Sequence, residues 1–360
     1  MILVNLSILS KKPTGISIYA RNILPSLSQL NSKFLVCNFD NRFTTFNSYL
    51  IPKELSPDFG LKGHFKRLYW TQFALPKIYQ KLESNLIFSP LPESPIYTTA
   101  KTVVMVHDLI PLRYPDKRSP LHYYQKFVLP IVLDQSKHII CNSQATADDL
   151  MIFFNISATK ITPIYLAYNP KNFYMQSNKS KSKKPYFLYL GRHNPHKNLP
   201  RMIKAFSLLK DKEDYEFWLI GPKDKRYTPQ LIDLVKNLEL ENQVLFKDYV
   251  SFQDLPMILN QAFCLMFVSL WEGFGLPLLE AMACGLPVIT SNQSSLVEVA
   301  KDSAILVDPK NVQEIRSAME RITKDDNLYA DLMQKGLQRA SMFSWEKTGQ
   351  ETRQILRNLS

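Results

Sequence analysis

Val268-Ser-Leu-Trp-Glu-Gly-Phe-Gly-Leu-Pro-Leu-Leu-Glu-Ala-Met-Ala-Cys-Gly-Leu-Pro-Val-Ile-Thr290 reads as a strand end, a glycine-loosened loop, a short helix and a second strand. Cys264 to Val268 is apolar enough for a buried strand, and Pro287 to Thr290 matches it on the far side. The helix is expected from Leu276 or Pro277 to about Cys284. Pro277 suits its first turn, where a missing N–H costs nothing. Gly285 suits the left-handed residue past its end, and Pro287 stops the chain from continuing helical.

A chemical use follows from that geometry. Gly273 and Gly275 let backbone approach a ligand closely, and the N–H groups around Gly273, Phe274, Gly275 and Leu276 point at whatever sits before the helix. A diphosphate is a natural occupant. Two carboxylates frame the loop, Glu272 before it and Glu280 in the first helical turn, facing the same side. A carboxylate does not bind phosphate, so both are expected to reach past it: Glu280 to ribose hydroxyls, Glu272 to hydroxyls of a sugar. This Glu-x7-Glu frame resembles the signature of retaining nucleotide-sugar glycosyltransferases of family 4, whose fold is GT-B. The resemblance implies an α/β protein of two Rossmann-like doubly wound domains facing across a cleft.

Working outward, Gly191-Arg-His-Asn-Pro-His-Lys197 leaves the first strand of the second half. Open α/β sheets bind ligands at the carboxyl ends of their strands, which brings Arg192 and Lys197 toward Glu272 and Glu280. No Asp-x-Asp pair occurs in the chain. Two fixed cations can neutralise a departing diphosphate in place of a divalent ion, and the pair resembles the Arg and Lys that lie on the donor phosphates in family 4 enzymes. No metal and no cofactor are expected. His193 and His196 are read as loop residues. From the resemblance, Val250, in Lys247-Asp-Tyr-Val-Ser251, is expected to meet the nucleobase.

In the first half, Val103-Val-Met-Val-His-Asp108 puts His107 and Asp108 at a strand's carboxyl end. A neutral imidazole there can donate to a sugar hydroxyl or to developing charge, and Asp108 is expected on the acceptor side. The longer string His107-Asp-Leu-Ile-Pro-Leu-Arg-Tyr-Pro115, and Phe343-Ser-Trp-Glu-Lys-Thr348 before the final helix, resemble mannosyltransferase-like members of family 4. Many members carry a richer glycine loop after the first strand; this chain offers Lys11-Lys-Pro-Thr-Gly-Ile-Ser17, where Gly15 still allows one close approach to the donor and Lys11 and Lys12 add charge.

The 360 residues carry a net charge of +12. Residues 1–184 hold 23 Lys/Arg against 10 Asp/Glu, and residues 185–360 hold 21 against 22. The excess lies wholly in the first half, which suggests an anionic partner there: membrane lipid, a lipid-linked pyrophosphate or nucleic acid. No recognised nucleic-acid motif accompanies it. The polar stretch 177–185 is read as a linker, giving domains at 1–176 and 186–342; the resemblance implies that the helix at 343–360 crosses back to the first. Strands are expected at Met1–Leu6, Lys33–Cys37, Leu86–Phe88, Thr102–Val106, His138–Cys141 and Ile161–Tyr165, then at Tyr186–Leu190, Glu216–Ile220, Val244–Phe246, Cys264–Val268, Pro287–Thr290 and Ala304–Val307. Single helices are expected at Ser17–Leu30, Leu61–Leu82 (bent or ended near Pro76) and Leu121–Gln135, and one from Phe252, capped by Ser251. The basic, aromatic Leu61–Leu82 segment could lie on a membrane. The Trp70-Thr-Gln72 it carries resembles a segment packed inside the first domain of family members, which favours core packing with one basic face. The four cysteines are scattered and in apolar contexts, which fits free thiols of a reducing cytosol. Nothing reads as a signal peptide or a spanning helix, so a cytoplasmic protein is expected, with the membrane's inner face as a peripheral contact.

The expected activity is metal-independent, retaining transfer of a hexose, mannose first, from a nucleotide sugar to a saccharide or lipid-linked acceptor in cell-surface polysaccharide synthesis. GDP-mannose is favoured over UDP-sugars as donor. The rivals are a nucleotide-sugar 2-epimerase of the same architecture, a glycosyl phosphorylase, for which no second phosphate cluster is evident, and a basic nucleic-acid-binding protein.

Overall fold

The computed structural model describes residues 1–10, 14–37, 46–177 and 183–360. The chain divides into two compact units, Met1–Leu166 with Ser344–Ser360, and Ala167–Phe343. The division falls ahead of the stretch 177–185 read as the linker, most of which lies outside the described residues. Residues just after Leu166 already belong to the second unit: Phe173 packs edge-on against Phe252, and the Asn172 side chain donates to Phe252 O (3.0 Å).

In the first unit the strands are β1 (Ile2–Asn5), β2 (Ser32–Cys37), β3 (Ser48–Ile51), β4 (Leu86–Ser89), β5 (Thr102–Val106), β6 (His138–Cys141) and β7 (Ile161–Pro163). They form one sheet in the order β3-β2-β1-β4-β5-β6-β7, all parallel. Every residue of β4 and β5 is buried, as a parallel sheet covered on both faces requires. The second unit repeats the plan with β8 (Tyr186–Leu190), β9 (Glu216–Ile220), β10 (Val244–Lys247), β11 (Cys264–Phe267), β12 (Val288–Ser291) and β13 (Ile305–Val307), in the parallel order β10-β9-β8-β11-β12-β13. Its core gathers Phe187, Phe206, Phe217, Met266 and Met319 beneath the flanking helices. Strand order reverses between β1 and β4 in one sheet and between β8 and β11 in the other. Loops at such a switch diverge and leave a crevice at the strands' carboxyl ends.

Several local expectations need correction. β3, which none of the expected strands covers, is an edge strand with only Ile51 buried, so no apolar run announced it. The expected helix Ser17–Leu30 is two, Gly15–Asn22 and Leu24–Leu27, because Pro25 interrupts the donor ladder. The break expected near Pro76 is present, between Gly60–Phe73 and Leu75–Lys81, while the expected helix Leu121–Gln135 is interrupted where Pro130 follows a π-helical turn at Tyr124–Val128. Ser251 does not cap the next helix directly: that helix runs Leu255–Gln261, and the Ser251 hydroxyl accepts from Asp254 N (3.2 Å) one turn earlier. The largest correction concerns Gly60–Phe73, which buries Gly63, Arg67, Trp70 and Thr71 but leaves Phe65, Tyr69 and Phe73 exposed rather than in the core.

The helix Trp345–Leu359, capped by Ser344, packs on the first unit. Thr348 Oγ1 donates to Tyr165 O (2.7 Å), Leu356 is buried, and Gly349 lies so close to Ser26 that a Cβ would overlap its hydroxyl. All four cysteines are buried free thiols. Among the described residues, no helix is long and apolar enough to cross a membrane.

Candidate functional site

The loops leaving β8 and β11, neighbours at the switch of the second sheet, carry the residues singled out from sequence. The helix Leu276–Ala283 begins with Gly275 at its N-cap (φ 106°) and ends before Gly285 (φ 66°). A side chain at Gly275 would need a left-handed backbone and would press on Leu296 at 2.9 Å. Gly273 and Phe274 are buried in the loop ahead of it.

Lys197 and Glu272 meet. The ammonium lies 2.6 and 2.8 Å from the two carboxylate oxygens, and Ser269 Oγ donates to one of them (2.6 Å). Glu272 is buried, and Lys197 also stands 5.6 Å over the Phe267 ring. Two loops are thereby tied together by an ion pair that a sugar diphosphate could share. Arg192 is exposed. Its carbonyl accepts from Tyr189 OH (2.7 Å), and among the described residues its guanidinium has no ion-pair partner. His193 and His196 lie in the segment after β8, as read, and both are buried; His193 Nδ1 is 2.9 Å from Thr228 Oγ1, and burial lowers His196 to about 4.

Glu280 behaves differently. The residue is half-buried, and burial lifts its carboxyl to about 7. The unfolded group ionises near 4.5. Between those values the folded state holds more protons, so its contribution to stability falls as pH rises from about 4.5 to about 7. Denaturant unfolding at several pH values should show the wild type losing stability across that window relative to Glu280→Gln. Parallel profiles for the two would mean an ordinary carboxyl. Hydroxyl donors on the carboxylate would draw its pKa back down.

A polar clamp went unread in the sequence. Ser291 Oγ donates to Ser269 O (2.5 Å), Gln293 Nε2 to Leu270 O (2.5 Å), and Ser295 Oγ to both Glu272 O and Phe274 O (3.0 Å each). Glu272 N donates to Ser294 Oγ (3.3 Å). Asn198, left-handed at φ 63°, donates to Val268 O (3.0 Å) and Pro309 O (2.6 Å). The run Ser291-Asn-Gln-Ser-Ser295, directly after a buried strand, was the available signal. Val250 is half-buried just past β10, in irregular backbone.

In the first unit, His107 Nε2 lies 2.9 Å from Pro90 O and the ring packs edge-on against Tyr19. A carbonyl only accepts, so Nε2 carries the proton. Burial lowers this histidine to about 4, leaving Nδ1 an acceptor at neutral pH. That corrects the expectation that the ring donates. Asp108 Oδ1 accepts from Ile110 N (3.0 Å), capping the next turn. Gly15 opens its helix behind a Thr14–Ser17 capping box. Lys11 and Lys12 lie outside the described residues.

Residues 13–172 match the family described as Glycosyltransferase Family 4, and residues 170–339 match Glycosyl transferases group 1. The chain belongs to the family 4 glycosyltransferases. This glycosyltransferase is 33% identical over 220 residues to the O-antigen chain mannosyltransferase RfbU of Salmonella typhimurium, covering 61% of this chain and 60% of that one. It is 29% identical over 263 residues to O-antigen chain mannosyltransferase B of Escherichia coli, covering 70% and 69%. A serotype-specific mannosyltransferase WbdA of Escherichia coli is 30% identical over 264 residues, which span 69% of this chain and 32% of that protein. Among solved structures, sucrose-phosphate synthase from Thermosynechococcus elongatus superposes with a TM-score of 0.80 at 19% identity, over 99% of this chain and 98% of that one. Anabaena HepE in complex with UDP and glucose gives 0.75 at 18%, over 99% of each. The glycosyltransferase thus has the GT-B fold.

Proposed function

We propose that this glycosyltransferase moves mannose from GDP-mannose to a saccharide or lipid-linked acceptor during cell-surface polysaccharide synthesis, with retention at the anomeric carbon and without a metal. The observation that carries the reading is the Lys197–Glu272 pair at the β8/β11 switch, beside the helix that starts at Gly275. In this reading Lys197 and Arg192 neutralise the departing diphosphate, helped by the positive end of the helix. Glu272 turns to sugar hydroxyls when the donor takes over its cation, and Glu280 accepts from the ribose. His107 accepts a hydrogen bond from a sugar hydroxyl at Nδ1. The mannosyltransferase relatives support the choice of sugar.

A panel of sugar nucleotides tests this by thermal shift and by slow donor hydrolysis, read as released nucleoside diphosphate. GDP-mannose should give the largest stabilisation and the fastest release, and Glu280→Ala should remove most of the shift. Absence of any response to sugar nucleotides would sink the reading, and free epimerised sugar as product would replace it with the epimerase.

A further inference from the structure

The helix Gly60–Phe73 is anchored on one side only. Arg67 makes a two-pronged pair with the buried Glu93 (2.7 Å each), Trp70 and Thr71 are buried, and Gly63 sits too close to the backbone near Ser56 for any side chain. The outer side carries Leu61, Phe65, Tyr69 and Phe73, which are 57–68% exposed. Their spacing of four sets them along one face. Large exposed apolar groups normally occur singly on a monomer's surface, whereas a contiguous ridge marks an interface. Beside the ridge, a hollow of about 460 Å³ opens between Pro52 and Leu55 on one wall and Phe65, Tyr69 and Trp70 on the other, with one charge of each sign, Lys66 and Glu54, at its lining.

Charge identifies the occupant. Lys62 and Lys66 are exposed on the same helix, and Lys77 and Lys81 on the next. No Asp or Glu occurs from Phe59 to Leu82. Apolar and aromatic side chains on one helix face, flanked by lysines, match a surface that is hydrocarbon below and anionic at the headgroups. We propose that this face rests on an anionic lipid bilayer, with Leu61, Phe65, Tyr69 and Phe73 at the acyl boundary and the lysines on the headgroups. The proposal is independent of the donor chemistry, since none of these residues belongs to the site at the second sheet.

Full-length protein should co-sediment with vesicles of phosphatidylcholine mixed with phosphatidylglycerol far more than with phosphatidylcholine alone, and less as salt is raised. Lys62→Gln/Lys66→Gln should weaken binding about 25-fold, at about fivefold per lysine. Phe65→Ser/Tyr69→Ser should weaken it about tenfold or more. All four side chains are exposed, so unchanged circular dichroism and thermal unfolding should accompany both results. Three outcomes would overturn the proposal: no preference for anionic vesicles, wild-type binding by the aromatic variant, or self-association in sedimentation velocity that the same variants abolish while vesicles do not compete.

Discussion

Replacing Lys197 with methionine should slow turnover by about 10²–10³-fold, the usual cost of removing one preorganised charge from a departing oxyanion. It should also destabilise the second unit. Glu272 is buried and would lose its ammonium partner, a change worth up to about 3 kcal/mol, at the low end for such pairs because Lys197 keeps an open edge. The two effects separate in a double variant. Lys197→Met/Glu272→Gln removes the uncompensated carboxylate, so unfolding in denaturant should return most of the way to wild type while turnover stays low. Recovery of both together would reduce Lys197 to a counter-ion for Glu272 and take the diphosphate role from it.

Gly221→Ala should be the most damaging single methyl group in the second unit. Gly221 follows β9 with φ 152°, and its N–H donates to Lys247 O (3.3 Å). An added Cβ would overlap the carbonyl oxygen of Gly191 and stand 2.8 Å from its carbon. Gly191 cannot retreat freely, because its own N–H is bonded to Ile220 O (3.0 Å). Backbone strain and displacement together should cost about 3 kcal/mol or more, which for a unit of this size lowers Tm by about 6–12 °C. Arg192 would be moved with its neighbour, so donor affinity should fall as well. Calorimetry within a degree or two of wild type would show that the two strand ends are less tightly held than described.

Much of the fold could be read from the chain because its punctuation is local. Gly275, Pro277 and Gly285 mark the helix between β11 and β12, and unbroken apolar runs such as Thr102–Val106 mark buried strands. What escaped depended on distance or on the side not seen. Glu272 and Lys197 are 75 residues apart, and only the adjacency of β8 and β11 makes them partners. The serines after β12 look like any polar loop until the opposite backbone is in place. The break near Pro76 was read from the sequence, whereas the Pro25 and Pro130 interruptions were equally visible and the helices were joined across them. The likeness of Trp70-Thr-Gln72 to a packed segment of family members suggested core for this helix, whereas its aromatic and basic composition suggested a membrane surface; the buried face is Gly63, Arg67, Trp70 and Thr71, held by the ion pair to Glu93.

The placement of Trp345–Leu359 has a bearing on biosynthesis. A ribosome delivers the seven strands of the first sheet well before it delivers the helix that covers Ile23 and Ser26. The second unit, being one uninterrupted segment, is complete before that helix emerges. Domains generally mature in the order they are made, but here the earlier one must wait, with an uncovered apolar flank, until the later one has finished.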